Sequence, residues 1–267
     1  MSADKTLGRV AATAAAALTL VPTLVACGGE SGARSAAAEE ATARLGASKK
    51  PLGAGHEQLQ AGLQVLDLTA RAHSGAAVEN VPRIAITLPG GWFNYDGWAV
   101  QKGRKPRTVF VTFWDVDLVY PTPCDWKYKP MIDPGRGVAG LASALARQPL
   151  RHATAPKDVV LGSFHGKYMQ WSVPTDIAFD ATRPDEALFP NCDEKTFQSW
   201  TARGWAGDRY QQVPGQVDRI WILNIHGRRL VLDVSYLPKS TPADRAELDR
   251  VVKSIRFLNS RRSRRAG

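Results

Sequence analysis

Residues 220–236 leave the chain little choice of local structure. An apolar run over 220–225 meets His226 and Gly227, and from Arg228 to Tyr236 the residues Leu230, Leu232, Val234 and Tyr236 fall on one side. Alternation on both sides of a two-residue turn predicts a β-hairpin, with Gly227 supplying the positive φ that a tight turn needs. The same period of two marks Ile84, Ile86 and Leu88, ended by Pro89, Gly90 and Gly91 before Trp92. Residues 98–101 and 108–120 read as further strands, the second entered through Pro106, where a proline suits a strand start. Residues 159–161 and 167–173 read as a short and a longer strand with the turn at Gly166. Residues 57–72 fit either a helical face through Leu59, Leu63 and Leu66 or a strand, with the strand preferred. Two helices are expected. One runs over 138–148, with Leu141, Ala142 and Leu145 at helical spacing and Pro149 as its stop. The other opens at Thr241 and Pro242, has Asp244 and Glu247 near its start, and buries Leu248, Val251, Val252 and Ile255. Phe257 is expected to dock its end. Short turns between sequential strands make this an α+β fold, an antiparallel β-sheet packed with helices.

The chain starts with the layout of an export signal. Lys5 and Arg9 are followed by an apolar run over 10–25, broken only by Pro22. That run falls short of the roughly 20 apolar residues a spanning helix needs. It closes on Leu24, Val25, Ala26 and Cys27, followed by Gly28 and Gly29, which resembles the bacterial lipobox. The resemblance implies that residues 1–26 are a lipoprotein signal peptide and that Cys27 carries a diacylglycerol, a two-chain anchor on the extracytoplasmic face of the cell membrane. The alternative is an ordinary export signal with an incidental cysteine. Residues 27–56, mostly Ala, Gly, Ser, Glu, Lys and Arg, bury too little apolar surface to fold and read as a flexible tether. A single domain is expected over 57–258, and residues 259–267 form a basic tail with Arg261, Arg262, Arg264 and Arg265. The formal charge is +10, and removing Lys5, Arg9 and Asp4 leaves +9. Four of those charges sit in the tail, which reads as a disordered end without a role or as a contact for anionic headgroups or wall polymers. Nucleic acid is excluded as a partner for a chain outside the membrane.

Export also bears on the other cysteines. With Cys27 given to lipid, Cys124 and Cys192 are an even pair in an oxidising compartment and are expected to form a disulfide. Closing about 68 residues stabilises the fold by roughly 4 kcal/mol in the loop-entropy account. The ligands around them are too few for zinc. Between Pro174 and Pro214 the periodicity dissolves, which predicts one long excursion pinned by the disulfide.

The chemistry-bearing residues are sparse. Asp115 and Asp117, two apart on a strand, share a face and suit a cation, an acid–base pair or merely a wet sheet edge. Asp125 and Asp193 each follow a cysteine, so the disulfide brings them near each other, as a calcium site or simply as loop-end turn residues. Ser163 and His165 lack the nucleophile-elbow context, and residues 133–140 have glycines before a helix but no phosphate-loop lysine. No cofactor and no metal are expected. The strongest remaining signal is aromatic: Trp126, Trp200, Trp205 and Tyr210, with Tyr120 and Tyr128, cluster around the two cysteines. They fit a ligand-binding surface or, alternatively, a minor core beneath the excursion.

The strand running into TLPGGW, the late hairpin and the closing ADRAELDRVVKSIRF are similar to the PsbP-like fold of LpqN-type actinobacterial lipoproteins. YPTPCDW and RYQQVPGQVDRIWILNIHGRRLVLD also resemble a group of actinobacterial exported proteins. The resemblance spans residues 84–257 and implies a PsbP-like sandwich with no common catalytic set. The expected function is a non-catalytic, membrane-anchored domain that binds an envelope lipid, glycan or protein partner. The alternative is a hydrolase acting on envelope material through Asp115 and Asp117.

Overall fold

The computed structural model describes residues 40–42, 44–69, 81–183, 186–203 and 207–258. Residues 1–26, Cys27, Trp205 and the basic tail lie outside the described residues.

The expected hairpin is the spine of the molecule. Strand β11 (Val217–Ile225) pairs with β12 (Arg228–Tyr236) in unbroken register from Val217↔Tyr236 to Ile225↔Arg228. His226 and Gly227 both have positive φ, 51° and 84°, the turn whose twist matches that of the flanking strands. Around the hairpin lie β3 (Trp92–Tyr95), β4 (Ala99–Lys102), β5 (Val109–Trp114), β7 (Lys157–Leu161) and β8 (Phe164–Ser172). Together they form an antiparallel seven-stranded sheet in the order β3-β4-β5-β12-β11-β8-β7. A three-stranded sheet joins β1 (Gly62–Leu66), β2 (Ile84–Leu88) and β13 (Arg256–Phe257), and another joins β6 (Val116–Val119), β9 (Gln198–Ala202) and β10 (Asp208–Tyr210). The strand reading of residues 57–72 therefore holds at β1.

One face of the large sheet is closed by the small sheet and by the helix Pro242–Lys253. Leu66, Ile84, Ile86, Leu88, Leu248, Val251, Val252 and Ile255 pack there on Trp92, Val100, Val111, Leu230, Leu232 and Val234. The helix starts as its sequence specifies: Thr241 accepts from the Asp244 amide while the Asp244 carboxylate accepts from the Thr241 amide. Its Glu247 accepts from Trp92 Nε1 at 2.8 Å and from Lys102 Nζ at 2.7 Å, which fixes the helix to β3 and β4. Phe257 docks on Phe164, with ring centroids 5.0 Å apart.

The other face is covered over only part of its width. The helix Val138–Ala146 buries Leu141, Ala142, Ala144 and Leu145 against Met169, Trp171, Ile220, Ile222 and Val231. Beside it the excursion folds back, with Val173, Phe189, Cys192 and Phe197 forming a satellite core. Cys124 and Cys192 are joined by a disulfide, as expected, which fits an oxidising compartment. Among the described residues no helix is long and apolar enough to cross a membrane.

Several expectations change. The expected antiparallel sheet is present, but sheets dominate the fold and helices are few among the described residues, rather than forming an α+β sandwich. The excursion is less irregular than expected, since it contributes β9 and β10. Residues 40–42 and 44–48 of the expected tether are helical. Further along, Leu52 N donates to Val65 O at 2.7 Å. Asp96 N donates to Gly55 O, Asn94 N to Glu57 O and Leu59 N to Trp92 O, lengths of 2.8–2.9 Å along the outer edge of β3.

The turn expected at Gly166 lies instead at Gly162, φ 60°, and Gly166 sits inside β8 opposite Leu223 of β11. A Cβ there would run into the Ile222 carbonyl oxygen, so this glycine permits close backbone approach at mid-strand. Gly166→Ala is expected to cost about 2 kcal/mol or more in urea unfolding, because the obstacle is backbone that cannot rotate away.

Candidate functional site

The uncovered part of the second face is a cleft of about 630 Å³, within the range of small-molecule sites. Alternation makes its floor. On β5 the odd residues Val109, Val111 and Phe113 enter the closed core, so Phe110, Thr112 and Trp114 line the cleft with Ala99 and Gln101 of β4 and Ser235 of β12. Tyr95 and Trp98 close one end. The β4–β5 connection, Gly103, Arg104 and Lys105 with Thr108, closes the other. Gly207, Asp208, Arg209, Tyr210 and Gln212 supply a side wall.

The aromatic residues form a continuous series of edge-to-face contacts. Tyr95 meets Trp98 at 5.9 Å, Trp98 meets Trp114 at 4.7 Å and Trp114 meets Trp200 at 5.9 Å. Trp98 Nε1 is buried with no hydrogen-bond partner. Partial burial raises the Tyr95 hydroxyl above its usual pKa.

The side wall is held by buried charge. Arg209 donates through Nε to Asp233 at 2.6 Å and through Nη2 to Asp218 at 2.9 Å. Asp218 also accepts from Trp171 Nε1 and Gln216 Nε2, both at 2.7 Å. A second buried guanidinium, Arg151, stacks over Trp171 and Phe197 at 4.2 and 4.6 Å. It donates to Gln198 O at 3.0 Å and to Ser199 Oγ at 2.7 Å, joining β9 to the sheet. Asp208 Oδ2 accepts from the Tyr120 hydroxyl at 2.5 Å. That hydrogen bond, added to burial, pushes the phenol's pKa up.

The residues singled out from sequence scatter. Trp200 is fully buried on β9 against Trp114 and Trp171, so its candidacy as a ligand contact is corrected: it is core. Trp126 is half-buried beside Tyr120, 5.1 Å between centroids, away from the cleft. Tyr210 does line the cleft and is 42% exposed. Trp205 lies outside the described residues. Asp115 and Asp117 both face Arg203, at 3.4 and 3.0 Å. Asp193 accepts from the Trp126 and Lys127 amides at 2.7 and 2.8 Å, chiefly the Lys127 bond holding its pKa down. Asp125 pairs with Lys129. The two carboxylates beside the disulfide are thus a loop cap and an ion pair. No group of three metal-ligating side chains occurs among the described residues.

Sequence reasoning missed Tyr95, Trp98, Phe110 and Trp114. The available signal was the run VFVTFW, which is large and apolar at both parities rather than alternating, and such a strand has something to meet on each face.

Burial lifts the Asp233 carboxyl to about 7 from 3.8, despite Arg209, and its Oδ1 has no partner. A raised folded-state value means the native protein holds this proton more tightly than the unfolded chain. Its contribution is complete below about pH 4 and is lost as pH rises through about 7. The difference in unfolding free energy between the wild type and Asp233→Asn is expected to change by up to ~1.4 kcal/mol per pH unit between pH 5 and 6.5 and to flatten above pH 8. Asp218→Asn, which removes the carboxylate charge facing Arg209 and sets an amide NH2 against at least one of the donors Arg209, Gln216 and Trp171, is expected to cost about 3–5 kcal/mol in urea titrations at neutral pH.

No family model matches the chain, and no curated protein matches it. Among solved structures it is similar to the solution structure of cyanobacterial PsbP (CyanoP) from Synechocystis, at 12% identity over 80% of this chain and 100% of that one, with a TM-score of 0.33.

Proposed function

We propose that the protein is a membrane-anchored extracytoplasmic lipoprotein whose domain is a non-catalytic binding module, with its ligand in the cleft on the open face of the central sheet. The observation that carries this reading is the cleft floor. Phe110 and Trp114, with Tyr95, Trp98 and Tyr210 around them, put aromatic surface beside a few polar groups, Gln101, Thr112 and Ser235. That mixture is typical of sites that hold a small molecule by area and orient it by a few hydrogen bonds. The export signal, the lipobox-like Cys27 and the disulfide support an envelope location and hence an envelope molecule as ligand. The hydrolase alternative draws no support from Asp115 and Asp117, whose carboxylates both face the Arg203 guanidinium.

Native mass spectrometry of the full chain, exported from a bacterial host, tests the binding reading. The expected result is a noncovalent adduct that vanishes on denaturation and falls at least fivefold in occupancy in Phe110→Glu of unchanged Tm. A bare mass, or an adduct indifferent to that substitution, overturns it. The anchor is tested separately: Cys27→Ser is expected to move the protein from the membrane to the soluble fraction and to abolish labelling by radioactive palmitate.

A further inference from the structure

We infer that the cleft binds a neutral glycan, a short chain of hydroxylated rings without ionised groups; this deepens the proposed function and rests on it. The strand register lays the floor out in rows. Gln101 of β4 pairs with Phe110 of β5, and Phe110 pairs with Ser235 of β12. Directly paired residues share a face of the sheet, so the Phe110 ring lies in the floor between an amide and a hydroxyl. One row on, Ala99 pairs with Thr112, and the small side chain of Ala99 leaves depth beside the ring. The exposed rings of Tyr95 and Tyr210 stand at the rim.

The polar groups left open along the cleft decide the class of ligand. Arg209 is taken by Asp218 and Asp233, and Lys105 has a partner of its own. Among the described residues, the amides of Gln101 and Gln212, the Arg104 guanidinium and the hydroxyls of Tyr95 and Tyr210 make no hydrogen bond within the protein. Asp208 keeps its charge and engages only Oδ2, with the Tyr120 hydroxyl. The open charges are thus of opposite sign, so an anion meets Asp208 and a cation meets Arg104. A wholly apolar ligand would strip water from all these groups and give them no partner. An extended peptide finds no strand edge to join, because β4 lies between β3 and β5, and β5 between β4 and β12. A sugar hydroxyl donates one hydrogen bond and accepts two, so a hydroxylated ring uses carboxylate, amides and guanidinium together. The C–H face of the same ring is apolar and stacks on aromatic side chains such as Phe110 and Tyr210. A cleft of about 630 Å³ holds a drug-sized ligand, which corresponds to a short oligosaccharide rather than a single ring.

The test is isothermal titration calorimetry of the purified full chain with the neutral tetrasaccharides chitotetraose, cellotetraose, maltotetraose and mannotetraose, and with palmitate as the anionic, apolar comparison. At least one tetrasaccharide is expected to bind with a Kd below about 1 mM. Its affinity is expected to stay within about twofold between low and high salt, because no ion pair forms with the ligand. Phe110→Ala and Asp208→Asn are each expected to weaken binding about tenfold at unchanged Tm, the first by removing the stacking face, the second by turning an acceptor into a donor while keeping an oxygen for Tyr120. Arg104→Ala, on an exposed connection whose side chain the fold does not use, is expected to weaken it about threefold and covers the case in which the other variants lose stability. No binding of any tetrasaccharide at about 10 mM, binding of palmitate alone, or sugar binding indifferent to all three substitutions overturns the glycan. The native mass measurement decides the cleft reading separately: an adduct lost in Phe110→Glu without any sugar binding removes the glycan and leaves the cleft standing.

Discussion

The Arg209 guanidinium, held between Asp233 of β12 and Asp218 of β11, is the interaction on which the open face of the sheet depends. Burying three charges in a core costs several kcal/mol per ion unless their geometry and hydrogen bonding are nearly complete. Here Arg209 and Asp218 are satisfied, through Trp171, Gln216 and the two carboxyl groups, and Asp233 Oδ1 is left without a partner. The same stretch of β10 that supplies Arg209 also places Asp208 and Tyr210 beside the cleft. An apolar residue at 209 would fill the space but would not dictate which register β10 adopts against the sheet. A guanidinium held by two carboxyl groups on neighbouring strands does dictate it, and so the wall stands at a fixed distance from Phe110 and Trp114.

The disulfide and Arg151 complete that arrangement from the other side. Asp193 N donates to Cys124 O and Gln198 N to Pro123 O, at 2.8 and 2.7 Å, so the covalent link sits within a short main-chain pairing. Arg151, sandwiched between Trp171 and Phe197, then ties β9 to the sheet. The described part of a segment with no sequence periodicity is held by these few contacts rather than by propensity.

This explains what could be read from the sequence. Wherever local rules decide the conformation, the residues announced it: His226 and Gly227 for the turn, Thr241 and Asp244 for the helix start, the even cysteine pair for the bridge. Gly166 was misread because glycine serves turns and close strand approach alike, and only the neighbour, Ile222, tells them apart. Trp200 was misplaced because aromatic content marks core and binding surface equally; its burial depends on Trp114 and Trp171, distant in sequence. The cleft itself was illegible for the same reason. It is the space left between β4, β5 and β10, and no single segment encodes a gap.

The entry of the chain into the domain has a mechanical side. Before reaching β1, the backbone at Gly55, Glu57 and Leu59 is bonded rung by rung to Asp96, Asn94 and Trp92 along β3. A pull on the preceding chain therefore meets first the Leu52–Val65 main-chain bond to the small sheet and then these rungs along β3, next to Tyr95. Tension reaching the domain from the upstream chain is shared between the small sheet and the β3 edge beside Tyr95, so the entry of the chain and the rim of the cleft are mechanically coupled.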